Sequence, residues 1–145
     1  MNLSERISHD IKSAMRESNQ QELSTLRLVH SALQNAAIAS KKKLSDDDVV
    51  SVLQKESKKR SDAAEVYKKG DRPELAEKEL QELEIIKRYL PEQMSHEDVG
   101  AVVEEVIAAS EEKPGFGQVM KAVMEKVRGK ADGKLVSSIV KEKLS

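Results

Sequence analysis

The sequence predicts an all-α protein in two parts: a four-helix N-terminal part with long helices and a compact three-helix C-terminal part. Three observations carry that prediction. Apolar residues recur at three- and four-residue steps through most of the chain, the period of a buried helix face. Aromatics make up only 2% of the 145 residues, and charged residues 35% against 38% hydrophobic, a balance that suits stacked helices with solvated outer faces. Glycine and proline are few, 6 and 3, and most fall at the seams between periodic segments.

The first helix is expected to start at Ser4, after Leu3, and to bury Ile7, Ile11, Ala14 and Met15. Ser18-Asn19-Gln20 interrupts the pattern. A second helix over about 21–40 carries Leu23, Leu26, Val29, Leu33, Ala36 and Ala37, roughly 30 Å at 1.5 Å per residue. Lys41-Lys42-Lys43 follow at its C-terminal end, where cations oppose the helix dipole. Ser45 with Asp48 is a capping signature that opens a third helix reaching Lys69. Val49, Val50, Leu53, Ala63, Ala64 and Tyr67 give this helix apolar ends, and its middle, QKESKKRSD, is strongly polar. Gly70 stops it, Asp71 is expected to cap a fourth helix, and Pro73 fits the first turn, where a missing N–H is harmless. Leu75, Leu80, Leu83, Ile86 and Leu90 line that helix, which is expected to run to Tyr89 and end at Leu90-Pro91.

Ser95 with Asp98 repeats the capping signature before Val99, Val102, Val103, Val106 and Ile107. Valine is a mediocre helix former, but the three/four spacing rather than alternation predicts a fifth helix. SEEKPGFG is a loop. From Gly117 to Lys134, GQVMKAVMEKVRGKADGK reads as helix, stop, basic turn and helix start. Val119, Met120, Val123, Met124 and Val127 form the apolar face of the sixth helix, and Gly129 is the expected left-handed residue beyond it. Asp132 is the expected N-cap of a seventh helix, with Gly133 and Lys134 in its first turn and Leu135, Val136, Ile139, Val140 and Leu144 along its stripe. The division falls near Pro91, giving parts 1–90 and 91–145.

Net charge is −1, yet the charge is segregated. Residues 1–90 hold 17 Lys/Arg and 16 Asp/Glu, residues 91–112 none and seven, and residues 113–145 eight and three. The turn within the last segment displays Arg128, Lys130 and Lys134 beside a donor-rich helix N-terminus, an arrangement that suits a phosphate-bearing partner. A second basic cluster, Lys55, Lys58, Lys59 and Arg60, lies in the polar middle of the third helix. A solvated helix face is the ordinary explanation of one such cluster; two, one in each part, strengthen the case for a polyanion.

Most catalytic chemistry lacks its parts. With no cysteine there is no disulfide, thiolate metal site or cysteine nucleophile. His9, His30 and His96 are scattered without ligand spacing, and neither common glycine-rich phosphate loop occurs. Glu79 and Glu82 share a helix face, but salt bridging to Lys78, Lys87 or the third helix is the expected role. Ser24 and Ser31 have no recognisable base. No catalytic residue, metal or cofactor is expected. The N-terminus lacks the apolar core of a signal peptide and no run approaches a membrane span, so a cytoplasmic protein without a membrane partner is expected.

Residues 54–93, QKESKKRSDAAEVYKKGDRPELAEKELQELEIIKRYLPEQ, and residues 117–144, GQVMKAVMEKVRGKADGKLVSSIVKEKL, resemble the two signatures of the YqeY-like family. The YLPEQ boundary and the V-x-G-K-A-D-G-K turn occur in the family's order. That family is similar to the tail domain of the B subunit of the tRNA-dependent Glu-tRNA(Gln)/Asp-tRNA(Asn) amidotransferase, a carbon–nitrogen ligase with glutamine as amido-N-donor. The resemblance implies an all-helical two-part fold and a tail that helps hold tRNA. It also implies that the glutaminase lies in another subunit and the magnesium-dependent activating site in the body of the B subunit, so neither active site carries over to this tail-like chain. By position, Arg128, Lys130 and Lys134 are the implied tRNA-facing residues, with Gly129, Ala131, Asp132 and Gly133 shaping the turn; Lys55, Lys58 and Arg60 match the other signature. The expected function is a non-catalytic RNA-binding or adaptor module for tRNA or another structured RNA, read by backbone and shape. The alternatives are a protein–protein adaptor docking through the acidic 91–112 face and an accessory component of amidotransferase activity.

Overall fold

In the computed structural model, residues 1–145 form seven helices and no strand: α1 (Leu3–Arg16), α2 (Gln20–Ser40), α3 (Asp46–Lys69), α4 (Pro73–Lys87), α5 (His96–Ala108), α6 (Phe116–Lys126) and α7 (Gly133–Leu144). They fall into two units, Met1–Leu90 and Pro91–Ser145.

In the first unit, local hydrogen bonds decide where each helix starts. Asn2 rather than Ser4 caps α1, its Oδ1 accepting from the Glu5 N–H at 2.8 Å, so the helix begins at Leu3. Asn19 caps α2 in the same way, accepting from the Glu22 N–H at 3.1 Å. At α3 both halves of the capping box form: the Asp48 N–H donates to Ser45 Oγ at 3.2 Å, and the Ser45 N–H to Asp48 Oδ2 at 3.0 Å.

The α3–α4 corner differs from the expected one. Asp71 does not cap α4; it takes φ 58° in the left-handed region, and Arg72 occupies the N-cap position with no side-chain cap bond. The Asp71 N–H donates to the Lys68 carbonyl at 3.3 Å and the Arg72 N–H to the Tyr67 carbonyl at 2.8 Å. This is a Schellman closure of α3, which requires the left-handed residue one place beyond Gly70, and aspartate tolerates that conformation better than most side chains.

The first core gathers Ile7 from α1, Leu26, Val29 and Leu33 from α2, Val49 and Leu53 from α3, and Ile85 and Ile86 from α4. Tyr89 joins it from the turn after α4, which ends at Lys87 rather than at Tyr89. The Tyr89 hydroxyl donates to Asp10 Oδ2 at 2.5 Å, and the Arg6 guanidinium lies 4.8 Å from the ring centroid. Met15 and Leu75, expected on inner stripes, are exposed. Met15 stands about 100° round the helix from Ala14, past the edge of the buried stripe.

The second unit has an aliphatic core: Val99 and Val103 of α5, Val119 and Val123 of α6, Val136, Ile139 and Val140 of α7, and Val127 and Ala131 of the intervening turn. The valine-rich segment is helical, as its spacing predicts, and Ser95 with Asp98 completes a second capping box at 3.1 and 3.2 Å. α6 starts at Phe116, with Gln118 Oε1 accepting from the Gly115 N–H at 3.3 Å.

Candidate functional site

The turn between α6 and α7 is anchored from below and tied from the side. Val127 and Ala131, at 0% and 4% exposure, sink its two ends into the core. Gly129 takes φ 76°, a conformation that glycine adopts without steric cost, and the Lys130 N–H donates to the Val127 carbonyl at 2.8 Å. Two donors from the segment before α5 then engage the turn's carbonyls. Gln93 Nε2 donates to the Gly129 oxygen at 3.0 Å, and the Met94 N–H to the Lys130 oxygen at 2.8 Å. Asp132 precedes α7 and accepts from the Lys134 N–H at a long 3.4 Å. Gly133 carries no comparable demand: it is the first helical residue, and a Cβ there would stand 3.9 Å from the Met124 methyl, an ordinary contact.

On this frame Arg128, Lys130 and Lys134 are all exposed, and none reaches a carboxylate within ion-pair distance. Three of the unit's five other cations are engaged, and Lys113 and Lys121 are exposed like the turn's three. Lys143 Nζ stands 2.6 Å from Glu104, a hydrogen bond that raises the lysine pKa, and Lys126 Nζ stands 3.5 Å from Glu105. Lys141 lies 5.9 Å from the centroid of the Phe116 ring. The acidic helix that precedes the basic segment in sequence is therefore partly neutralised by it in space. The turn keeps three cations within seven residues: one guanidinium fork and two compact ammonium charges, both suited to phosphate oxygens.

The α3 cluster divides in two. Lys55 and Lys58 are exposed, and Lys59 pairs with Glu56 at 3.1 Å. Arg60 does not face solvent as expected. It is 7% exposed, with Nη1 3.2 Å from Glu56 Oε1 and donating to the Glu56 carbonyl at 3.0 Å, and with Nε 3.4 Å from Glu82 of α4. A phosphate cannot reach it without breaking these pairs. Glu82 thereby takes the salt-bridging role with the third helix that its sequence suggests. Beside it, burial and then the Glu82 charge raise the pKa of Glu79. Nothing in the sequence around Arg60 marks it as buried, because its partner Glu82 is brought in by the packing of α4.

No group of three or more His, Cys, Asp or Glu side chains is placed to hold a metal ion, and no helix is long and apolar enough to cross a membrane. A model of the Yqey-like protein family matches residues 4–144. Altered inheritance of mitochondria protein 41, mitochondrial, of Pyrenophora tritici-repentis is 30% identical over an alignment of 141 positions that covers 94% of this chain and 78% of that protein. An uncharacterized protein of Schizosaccharomyces pombe is 35% identical over 95 residues, 66% of this chain and 77% of its own length. Neither name states a ligand or a reaction.

Proposed function

The chain belongs to the YqeY-like family, and from that premise we propose that it is a non-catalytic helical module that binds RNA, tRNA foremost, through phosphate contacts at its basic turn. The observation that carries this reading is the trio Arg128, Lys130 and Lys134, exposed and free of carboxylates on a turn whose backbone is fixed. Lys55 and Lys58 offer a second pair of exposed cations on α3. The likeness of the family to the amidotransferase tail is the reason for naming tRNA among polyanions, and service as an accessory to such an enzyme would use the same surface. The cytoplasm is the compartment that goes with this reading. A protein partner on the acidic 91–112 segment is the weaker alternative, because Glu104 and Glu105 already hold Lys143 and Lys126.

The test is tRNA affinity over a salt series, for wild type and for Lys130→Glu/Lys134→Glu. Wild-type affinity should fall as salt rises. The double variant should bind at least about tenfold more weakly, with a log–log salt slope shallower by about two, one for each phosphate that is no longer neutralised. Equal, salt-insensitive binding by both proteins would remove the turn from consideration.

A further inference from the structure

Phe116 is the single phenylalanine of the chain, it is 41% exposed, and it belongs to neither hydrophobic core. Packing therefore does not explain the ring. Capping does not either, since the N-cap of α6 is Gly115 and the reciprocal bond comes from Gln118. Glycines flank it on both sides, and a Cβ added at Gly115 or Gly117 would meet nothing within 4 Å, so the backbone beside the ring is open.

The ring also stands next to a charged track. Lys134, Ser138 and Lys141 follow one another on α7 at four- and three-residue steps, all exposed, so they share one ridge. The ridge runs about 10 Å from the basic turn to Lys141, whose ammonium lies 5.9 Å from the centroid of the Phe116 ring. That distance is at the outer limit of a cation–π interaction, so the ring is accompanied rather than covered. Cations along a track with an open aromatic at its end are the pairing by which single-stranded nucleic acids are held: ammonium groups take the phosphates and the ring takes a base.

We propose that Phe116 is a stacking platform for an unpaired nucleobase, with Lys134 and Lys141 guiding the backbone toward it. The RNA partner then presents a single-stranded end or loop at this surface. This rests on the phosphate-binding reading of the turn and adds to it the state of the RNA.

The experiment compares a short single-stranded RNA with a blunt RNA duplex of the same length, both fluorescently labelled, on the full chain. Phe116→Ala should weaken single-strand binding about tenfold and leave duplex binding within about twofold. Phe116→Tyr should restore it, and Phe116→Leu should not. The chain holds no tryptophan, so Phe116→Trp supplies a lone indole whose fluorescence the single strand should quench and the duplex should not. Equal weakening on both probes, or Leu serving as well as Phe, would overturn the proposal in favour of a general apolar surface such as one for a protein partner. If Lys130→Glu/Lys134→Glu abolishes binding while Phe116→Ala changes nothing, the stacking step alone fails. If the wild type binds neither probe, the phosphate reading falls and this inference with it.

Discussion

Arg60 Nε stands 3.4 Å from a carboxylate oxygen of Glu82, joining α3 to α4 through two residues each less than a tenth exposed. The separation is long for a hydrogen bond, so the attraction is chiefly Coulombic, with Glu56 completing a buried triad at 3.2 Å. Removing one member of such a set is costly because the charges left behind have no solvent. Arg60→Met should lower unfolding free energy by about 3 kcal/mol in urea titrations. Arg60→Met/Glu82→Leu should recover a substantial part of that decrease. A single variant as stable as wild type would show that water already reaches the site.

The turn's left-handed residue gives a second prediction. At φ 76°, an alanine in place of Gly129 meets its own carbonyl, a penalty of about 1–2 kcal/mol. Gly129→Ala should show that penalty in chemical denaturation and should also weaken tRNA binding, because Lys130 shifts with the backbone. Gly133→Ala, at a helical position with room for a methyl, should leave stability unchanged or slightly raised.

The two capping boxes are separable. Ser45→Ala and Ser95→Ala should each cost about 1 kcal/mol. Amide hydrogen exchange should locate the weakening in the first turn of α3 for one variant and of α5 for the other.

Tyr89 makes stability depend on alkaline pH. Burial first, and then the hydrogen bond to Asp10, raise its pKa above the ordinary 10.0. The fold thus keeps the phenolic proton more tightly than the unfolded chain does. Its contribution is fully present below pH 10.0 and is lost as pH rises above that value toward the folded pKa. Tyr89→Phe should cost about 1 kcal/mol at neutral pH and flatten the alkaline decline in melting temperature.

What the sequence discloses about this fold is governed by how far apart the interacting residues lie. The boxes at Ser45 and Ser95 close over three residues, and the valine spacing of α5 already names its buried face, so both are readable from a short window. The choice between Asn2 and Ser4 as cap, or between Gly70 and Asp71 as the left-handed residue, turns on which backbone bonds form: asparagine and serine cap about equally well, and glycine is the usual left-handed residue. Arg60 is the clearest case. Its sequence neighbours are lysines, while its environment is Glu82, 22 residues further along and supplied by tertiary packing. The basic turn is legible as a cluster, but that its three cations reach no carboxylate, while Lys126 and Lys143 do, is set by tertiary packing.

The bonds from Gln93 and Met94 to the turn's carbonyls bear on when disorder is lost. Fixing a residue's backbone costs about 1–2 kcal/mol in conformational entropy. In a floppy loop that penalty would fall on the association step and erode affinity. Here it is met once, as the chain folds, and the Gly129 and Lys130 oxygens are turned to internal donors rather than left to repel an approaching anion. A ligand arriving at Arg128, Lys130 and Lys134 has only their side chains left to order.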